Sequence, residues 1–163
     1  DDADLAASTY SLASLLDAWD SGLRSVSMLG RVLTPDQWEA PTACPGWTCG
    51  DIVRHLAWVE SVLAGRSDPD HEVDWSARPW ITSDFGRWTE AGVDVRRTLT
   101  QDDACRDLDT MTDLRLAQIM DLPNLSLQSE VNGVFGRTTT SDGQRRTARD
   151  IGMADRTPNV RAS

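Results

Sequence analysis

Residues 34–57 read Thr34-Pro35-Asp36-Gln37-Trp38-Glu39-Ala40-Pro41-Thr42-Ala43-Cys44-Pro45-Gly46-Trp47-Thr48-Cys49-Gly50-Asp51-Ile52-Val53-Arg54-His55-Leu56-Ala57. Thr34 suits an N-cap, Pro35 suits the first helical position, and Gln37 stands where a capping box needs it, so a short helical turn carrying Trp38 is predicted. Pro41, Pro45 and Gly46 then force a fixed loop. Thr48 caps a second helix, with Asp51 at N3 facing its positive end. Ile52, Leu56, Val59 and Leu63 make the expected buried stripe of that helix, and Gly65 is its stop. His55 falls beside the stripe, on the inward face, where a neutral imidazole could meet a metal.

Working outward, Leu12, Leu15, Leu16, Trp19, Leu23 and Val26 give one long amphipathic helix between residues 6 and 33. Residues 66–82 form a polar loop rich in Asp and Pro, with Trp75 and Trp80 folding back onto the helices. Phe85, Trp88, Gly92, Val95 and Leu99 predict a third main helix. Cys105, Leu108, Met111 or Thr112, Arg115 and Ile119 predict a fourth, ending before Pro123. Beyond Pro123, Leu125, Leu127, Val131, Val134 and Phe135 follow no clean period, and a short helix over 144–154 is the expectation there. The whole therefore reads as all-α, an antiparallel four-helix bundle in a single domain over 1–163.

The 163 residues carry 26 acids against 16 bases, a net charge of −10, and every base is Arg. Such a chain repels phosphate backbones, so no nucleic-acid partner is expected despite the Arg145-Arg146 pair. Arg without Lys, with Asp far above Glu, is the composition of a GC-rich, actinobacterial type of genome. No apolar run approaches the roughly 18 residues of a membrane helix, and the first residues show no basic or apolar signal segment. Three cysteines, Cys44, Cys49 and Cys105, suggest no disulfide framework, so a cytoplasmic location is expected.

Trp38, the Pro41-Thr42-Ala43-Cys44-Pro45-Gly46-Trp47-Thr48 turn and the Asp51-Ile52-Val53-Arg54-His55-Leu56-Ala57 helix start together resemble the mycothiol-dependent maleylpyruvate isomerase family, in its N-terminal, DinB-like domain. The likeness is dense over 34–64 and extends over about 10–100. It implies a metal-binding four-helix bundle, with a divalent metal, usually zinc, on the second-helix His and on an acid and a His of a later helix. The first of these transfers to His55. The family's later motif aligns with Thr147 to Pro158, where Thr147 stands for the ligand His and Gly143, next to Asp142, stands for the acid. Three readings stay open: the metal site is degenerate, Asp142 and His71 replace the lost ligands, or the C-terminal third is altered. His55 and Asp142 are the candidate metal ligands.

The resemblance implies mycothiol as thiol cofactor, a small-molecule electrophile as substrate, and an isomerase or S-transferase activity in a monomer or homodimer. The alternative is a bundle with a degenerate metal site acting as a non-catalytic binding or structural module. The chain also reads as a possible N-terminal part of a longer protein. Asp51 is favoured as a helix cap over a partner for His55. Cys44 is expected as a small buried hydrophobe in the loop and Cys49 as an N1 residue, not joined by a disulfide. Trp19, Trp58 and Trp88 read as core or half-buried positions, while Trp47 and Trp75 are candidates for the wall of a pocket.

Overall fold

The computed structural model describes residues 11–126 and, as backbone alone, the pieces 130–133 and 136–139. Helix α1 spans Leu12–Val32 and helix α2 Pro35–Trp38. The long α3 covers Cys49–Leu63, α4 covers Asp84–Asp94 and runs on into a 3-10 turn at Val95–Thr98, and α5 covers Gln101–Met120. Both capping boxes read in the sequence are present, Thr34 with Gln37 and Thr48 with Asp51. Each satisfies backbone N–H groups that a helix start leaves without partners.

Side-chain pairs give the directions of the helices. Leu16 packs with Ile119, Ser27 donates to the Cys105 carbonyl and Gln101 donates to the Gly30 carbonyl, so α1 and α5 are antiparallel. Trp19 meets Glu60 across α1 and α3, and Arg97, just beyond α4, meets Asp51 at the start of α3. Arg115 reaches the Leu63 carbonyl and Gln118 the Ala64 carbonyl, so α3 and α5 run in the same direction and form the centre of an up-down-up-down bundle. The expected four-helix, all-α architecture is the one observed. Its core holds Leu23, Trp38, Val53, Leu56, Ala57, Ala104, Cys105 and Leu108.

Being central, α3 is buried on more than one face. Val53, Arg54, Ala57, Trp58 and Glu60 are buried along with Leu56 and Leu63, whereas Ile52 and Val59 are only half-buried. The single stripe expected from spacing is therefore too narrow. A larger departure lies in α4, whose inward face carries Thr89, Glu90, Gly92 and Val93, while Phe85 and Trp88 are 50% and 41% exposed. On α5 the expected positions Cys105, Leu108, Met111, Thr112, Arg115 and Ile119 are all buried.

The turn between α2 and α3 is closed at its neck. An isolated bridge joins Pro41 to Thr48, Cys49 N–H donates to the Ala40 carbonyl at 2.9 Å, and Thr42 N–H donates to the Trp47 carbonyl at 2.9 Å. Gly46 takes φ of +78°, a conformation that costs an L side chain but not glycine. A Cβ there would also run into the Trp80 indole, which folds back over the turn as expected. After α5 a short antiparallel hairpin pairs Glu130–Gly133 (β1) with Gly136–Thr139 (β2), an element the apolar pattern did not predict. The helix expected over 144–154 lies outside the described residues.

Candidate functional site

Trp47 ends the closed turn and lies over the first turns of α3. Its ring stands 4.9 Å from that of His55, and the ring of Trp58, one turn further along α3, stands 5.9 Å from it. The inward placement expected for His55 is observed in part: the residue is half-buried, with its Nδ1 turned inward and two indoles beside the ring. His55 Nδ1 is shut off from solvent and has no hydrogen-bond partner among the described residues. Burial disfavours the charged imidazolium and lowers the pKa to about 4, so the ring is neutral at physiological pH.

A lattice of ion pairs holds this arrangement from behind. Glu90 on α4 is 2% exposed; its Oε2 accepts from Trp47 Nε1 at 2.6 Å, and its Oε1 accepts from Arg78 and Arg97, each at 2.7 Å. Arg97 also reaches Asp51 and Asp94, and Arg78 also pairs with Asp94. Asp51 keeps its expected capping role and adds Arg54 at 3.2 Å. It does not serve as a hydrogen-bonded partner for His55, whose Nδ1 is left bare. Sequence reasoning missed Glu90, Arg78 and Arg97. The available hint was local, an acid at 90 and another at 94 placed seven and three residues before Arg97.

His71, considered as a replacement ligand, sits with Nε2 at 2.8 Å from Asp94 Oδ2, at the edge of this lattice. Asp142, Gly143 and Thr147 lie outside the described residues. Cys44 is exposed rather than buried, because the closed turn carries its side chain on the outer surface; Cys49 is partly buried at N1 and all three thiols are free, so the expected absence of a Cys44–Cys49 disulfide holds. Trp75 stacks under Arg87 at 5.4 Å and is not among the rings that touch His55.

Residues 15–151 match the family described as the mycothiol maleylpyruvate isomerase N-terminal domain. The chain belongs to this family. No curated protein and no solved structure gives a significant match. The stretch that carries the resemblance is therefore the stretch that builds the site: the Cys44-Pro45-Gly46-Trp47 turn supplies one wall and the α3 residues His55 and Trp58 supply the rest.

For a mycothiol maleylpyruvate isomerase N-terminal domain, a metal on His55 is the question the chemistry raises. A neutral imidazole keeps one nitrogen lone pair free, which fits one metal bond, since an imidazole must be neutral to ligate. The rest of the donor set is not supplied nearby: no group of three or more His, Cys, Asp or Glu suited to a metal occurs among the described residues. Asp51, Glu90 and Asp94 are already committed to arginines. Among the described residues no helix is long and apolar enough to cross a membrane.

Proposed function

We propose that the chain is a mycothiol-dependent enzyme of the isomerase or S-transferase kind, in which the cofactor thiol adds to an unsaturated electrophile beside His55. One observation carries this reading: a neutral imidazole beside the rings of Trp47 and Trp58, with its Nδ1 buried and without a hydrogen-bond partner among the described residues, on the turn and helix that lie within the family match. A divalent metal would be held by His55 together with Asp142, and when bound would keep the cofactor sulfur ionised at neutral pH. A two-ligand site of this kind falls short of the roughly three protein ligands of a catalytic zinc, so weak binding is the expected outcome.

The chain's own residues do the rest. His55 keeps its lone pair free of protons down to about pH 4. Trp47 and Trp58, with ring centroids 4.9 and 5.9 Å from that of His55, make its surroundings less polar, which strengthens electrostatic interactions there. In the addition, the thiol first gives up its proton, sulfur bonds to the β-carbon of the substrate, the C=C electron pair moves towards the carbonyl, and a proton returns to the α-carbon. For transfer, that adduct is the product. For isomerisation, the former double bond rotates as a single bond and the thiolate leaves with loss of the same proton. The small-molecule electrophile and the thiol are the partners proposed, in a cytoplasmic setting.

The test combines metal content with thiol dependence. Protein purified without chelator is assayed with mycothiol and a panel of α,β-unsaturated carbonyl compounds, maleylpyruvate among them, beside a His55→Ala variant checked for intact helicity. Mycothiol-dependent conversion that falls at least about a hundredfold in the variant, with any bound divalent metal lost in parallel, is expected. Conversion that ignores mycothiol or His55 would overturn the assignment.

A further inference from the structure

Helix α1 has an outer face that the bundle does not use. Ala18, Ser21, Gly22 and Ser25 are exposed there, and Met28, Leu29 and Val32 continue the row at 67%, 58% and 74% exposure. At about 100° per residue these positions all fall within roughly 60° of the direction of Ser25, in a strip about four turns long. None of them is charged, although 26% of the chain's residues are. The Ser21 and Ser25 hydroxyls donate to the Ala18 and Ser21 carbonyls at 3.3 and 2.7 Å, so both side chains lie back on their own helix.

Gly22 is the position that asks for a cause. The other helical glycines among the described residues, Gly30, Gly50, Gly86 and Gly92, each stand against a side chain that a Cβ would crowd. Nothing lies within 4 Å of a Cβ built at Gly22. Glycine inside an exposed helix costs stability relative to alanine, and no contact among the described residues requires it here. Close approach of a second helix would.

The strip is also graded by size. Ala18, Ser21 and Gly22 make its N-terminal half, Met28, Leu29 and Val32 its C-terminal half, and Ser25 is the midpoint. A second copy laid antiparallel on the strip, about a two-fold axis at Ser25, sets Leu29 against Gly22, Met28 against Ser21 and Val32 against Ala18, each contact occurring twice. Large side chains then meet hollows along the whole length. A parallel copy would crowd large on large at one end and leave a gap at the other, which close packing disfavours. Charge agrees with the antiparallel choice. Asp17 and Asp20 border the small half and Arg31 borders the large half, along the same edge of the strip, so reversal brings the acids of one copy beside the arginine of the other.

We propose that the outer face of α1 docks a second copy of this chain, the two α1 helices packing antiparallel across Ser25. The strip is about 22 Å long. With one helix from each copy taking part, the contact lies at the small end of specific interfaces, and a dissociation constant on the order of micromolar is expected.

Sedimentation equilibrium of the full chain from about 1 μM to about 1 mM spans that range, and a monomer–dimer equilibrium is expected. Leu29→Glu, at an exposed position, should weaken the dimer at least about tenfold with helicity unchanged. Gly22→Leu should weaken it by a similar factor while raising the melting temperature of the dilute monomer, because leucine favours a helix and the Cβ meets open space. Register is read by oxidation in a background of Cys44→Ser with Cys49→Ser. Ser25→Cys should cross-link to itself, whereas Ala18→Cys and Val32→Cys should cross-link when mixed and not alone. A monomer at every concentration, a dimer that tolerates both Leu29→Glu and Gly22→Leu, or self-cross-linking of Val32→Cys would each overturn the proposal. A monomer that Leu29→Glu destabilises would overturn it in favour of another segment of the same chain as the occupant of the strip.

Discussion

The indole N–H of Trp47 donates to Glu90 Oε2 at 2.6 Å, so a buried carboxylate on α4 fixes the angle at which the turn meets His55. The same carboxylate is shared by Arg78 and Arg97. One side chain thereby ties together the turn, the loop before α4 and the segment after it.

Replacing Glu90 by Ala should leave two guanidiniums without their shared acceptor and Trp47 without its anchor. Removing one partner of a buried ion pair costs about 3 kcal/mol or more. Urea denaturation should show that loss, and the His55 titration followed by NMR should move up from about 4 towards the ordinary 6.5 as water reaches the ring. A variant as stable as the parent, with His55 still titrating near 4, would mean that Glu90 does not position Trp47.

Two buried groups give opposite dependences on pH. His55, lowered to about 4 by burial, stays neutral in the fold while the unfolded chain takes up its proton, so its contribution is present above pH 6.5 and is lost as pH falls towards 4. Glu60 is raised to about 7 by burial, against the opposing pull of Arg115 and the Trp19 N–H. Its contribution is present below pH 4.5 and is lost as pH rises through 7. The two slopes oppose each other between about 4.5 and 6.5, and near-constant stability is expected there. Midpoints measured over that window should rise with pH in Glu60→Gln and fall with pH in His55→Ala; parallel slopes in the two variants would contradict the assignment.

Gly92→Ala sets helix propensity against packing. Propensity alone would favour Ala by about 1 kcal/mol. The new Cβ would meet the Trp58 indole, and forced overpacking of a core costs about 1–3 kcal/mol. Packing should win, giving a lower melting temperature and an altered near-ultraviolet signal from Trp58. A stabilised variant would show that α4 can draw away from α3 freely.

Thiol reactivity should follow exposure. Cys44 is exposed and should react first with a disulfide reagent in the native protein, whereas Cys105 is buried, with its pKa raised chiefly by that burial, and should react only on unfolding. Cys44→Ser should remove the fast phase. A fast phase that survives that substitution would place Cys49, at N1 of α3, as the reactive thiol.

What the sequence discloses is the chemistry that acts within a few residues. The two capping boxes, the Thr48 start of α3 and the α5 stripe from Cys105 to Ile119 are contacts at three or four residues' spacing, and each is found where the pattern puts it. His55 is legible because the same spacing turns it inward. Phe85 and Trp88 show where the logic stops, since apolar period identifies a face but not what the face meets. The inward positions of α4 go instead to Thr89, Glu90 and Val93, and Glu90 is made tolerable by Arg78, twelve residues before it across a loop, and by Trp47, forty-three residues before it. Glu60 and Arg115, 3.7 Å apart between α3 and α5, are hidden in the same way.

The neck of the 41–48 turn, clasped by the Pro41–Thr48 bridge and the Ala40–Cys49 hydrogen bond, has a thermodynamic consequence for whatever the site receives. An open loop of that length would have to be immobilised at each encounter, and the lost freedom would be deducted from affinity. Here the ordering is completed during folding. A ligand of the proposed site would meet Trp47 on a turn already ordered by these backbone bonds, so recognition by this wall would rest on complementarity of shape more than on a rearrangement of the chain.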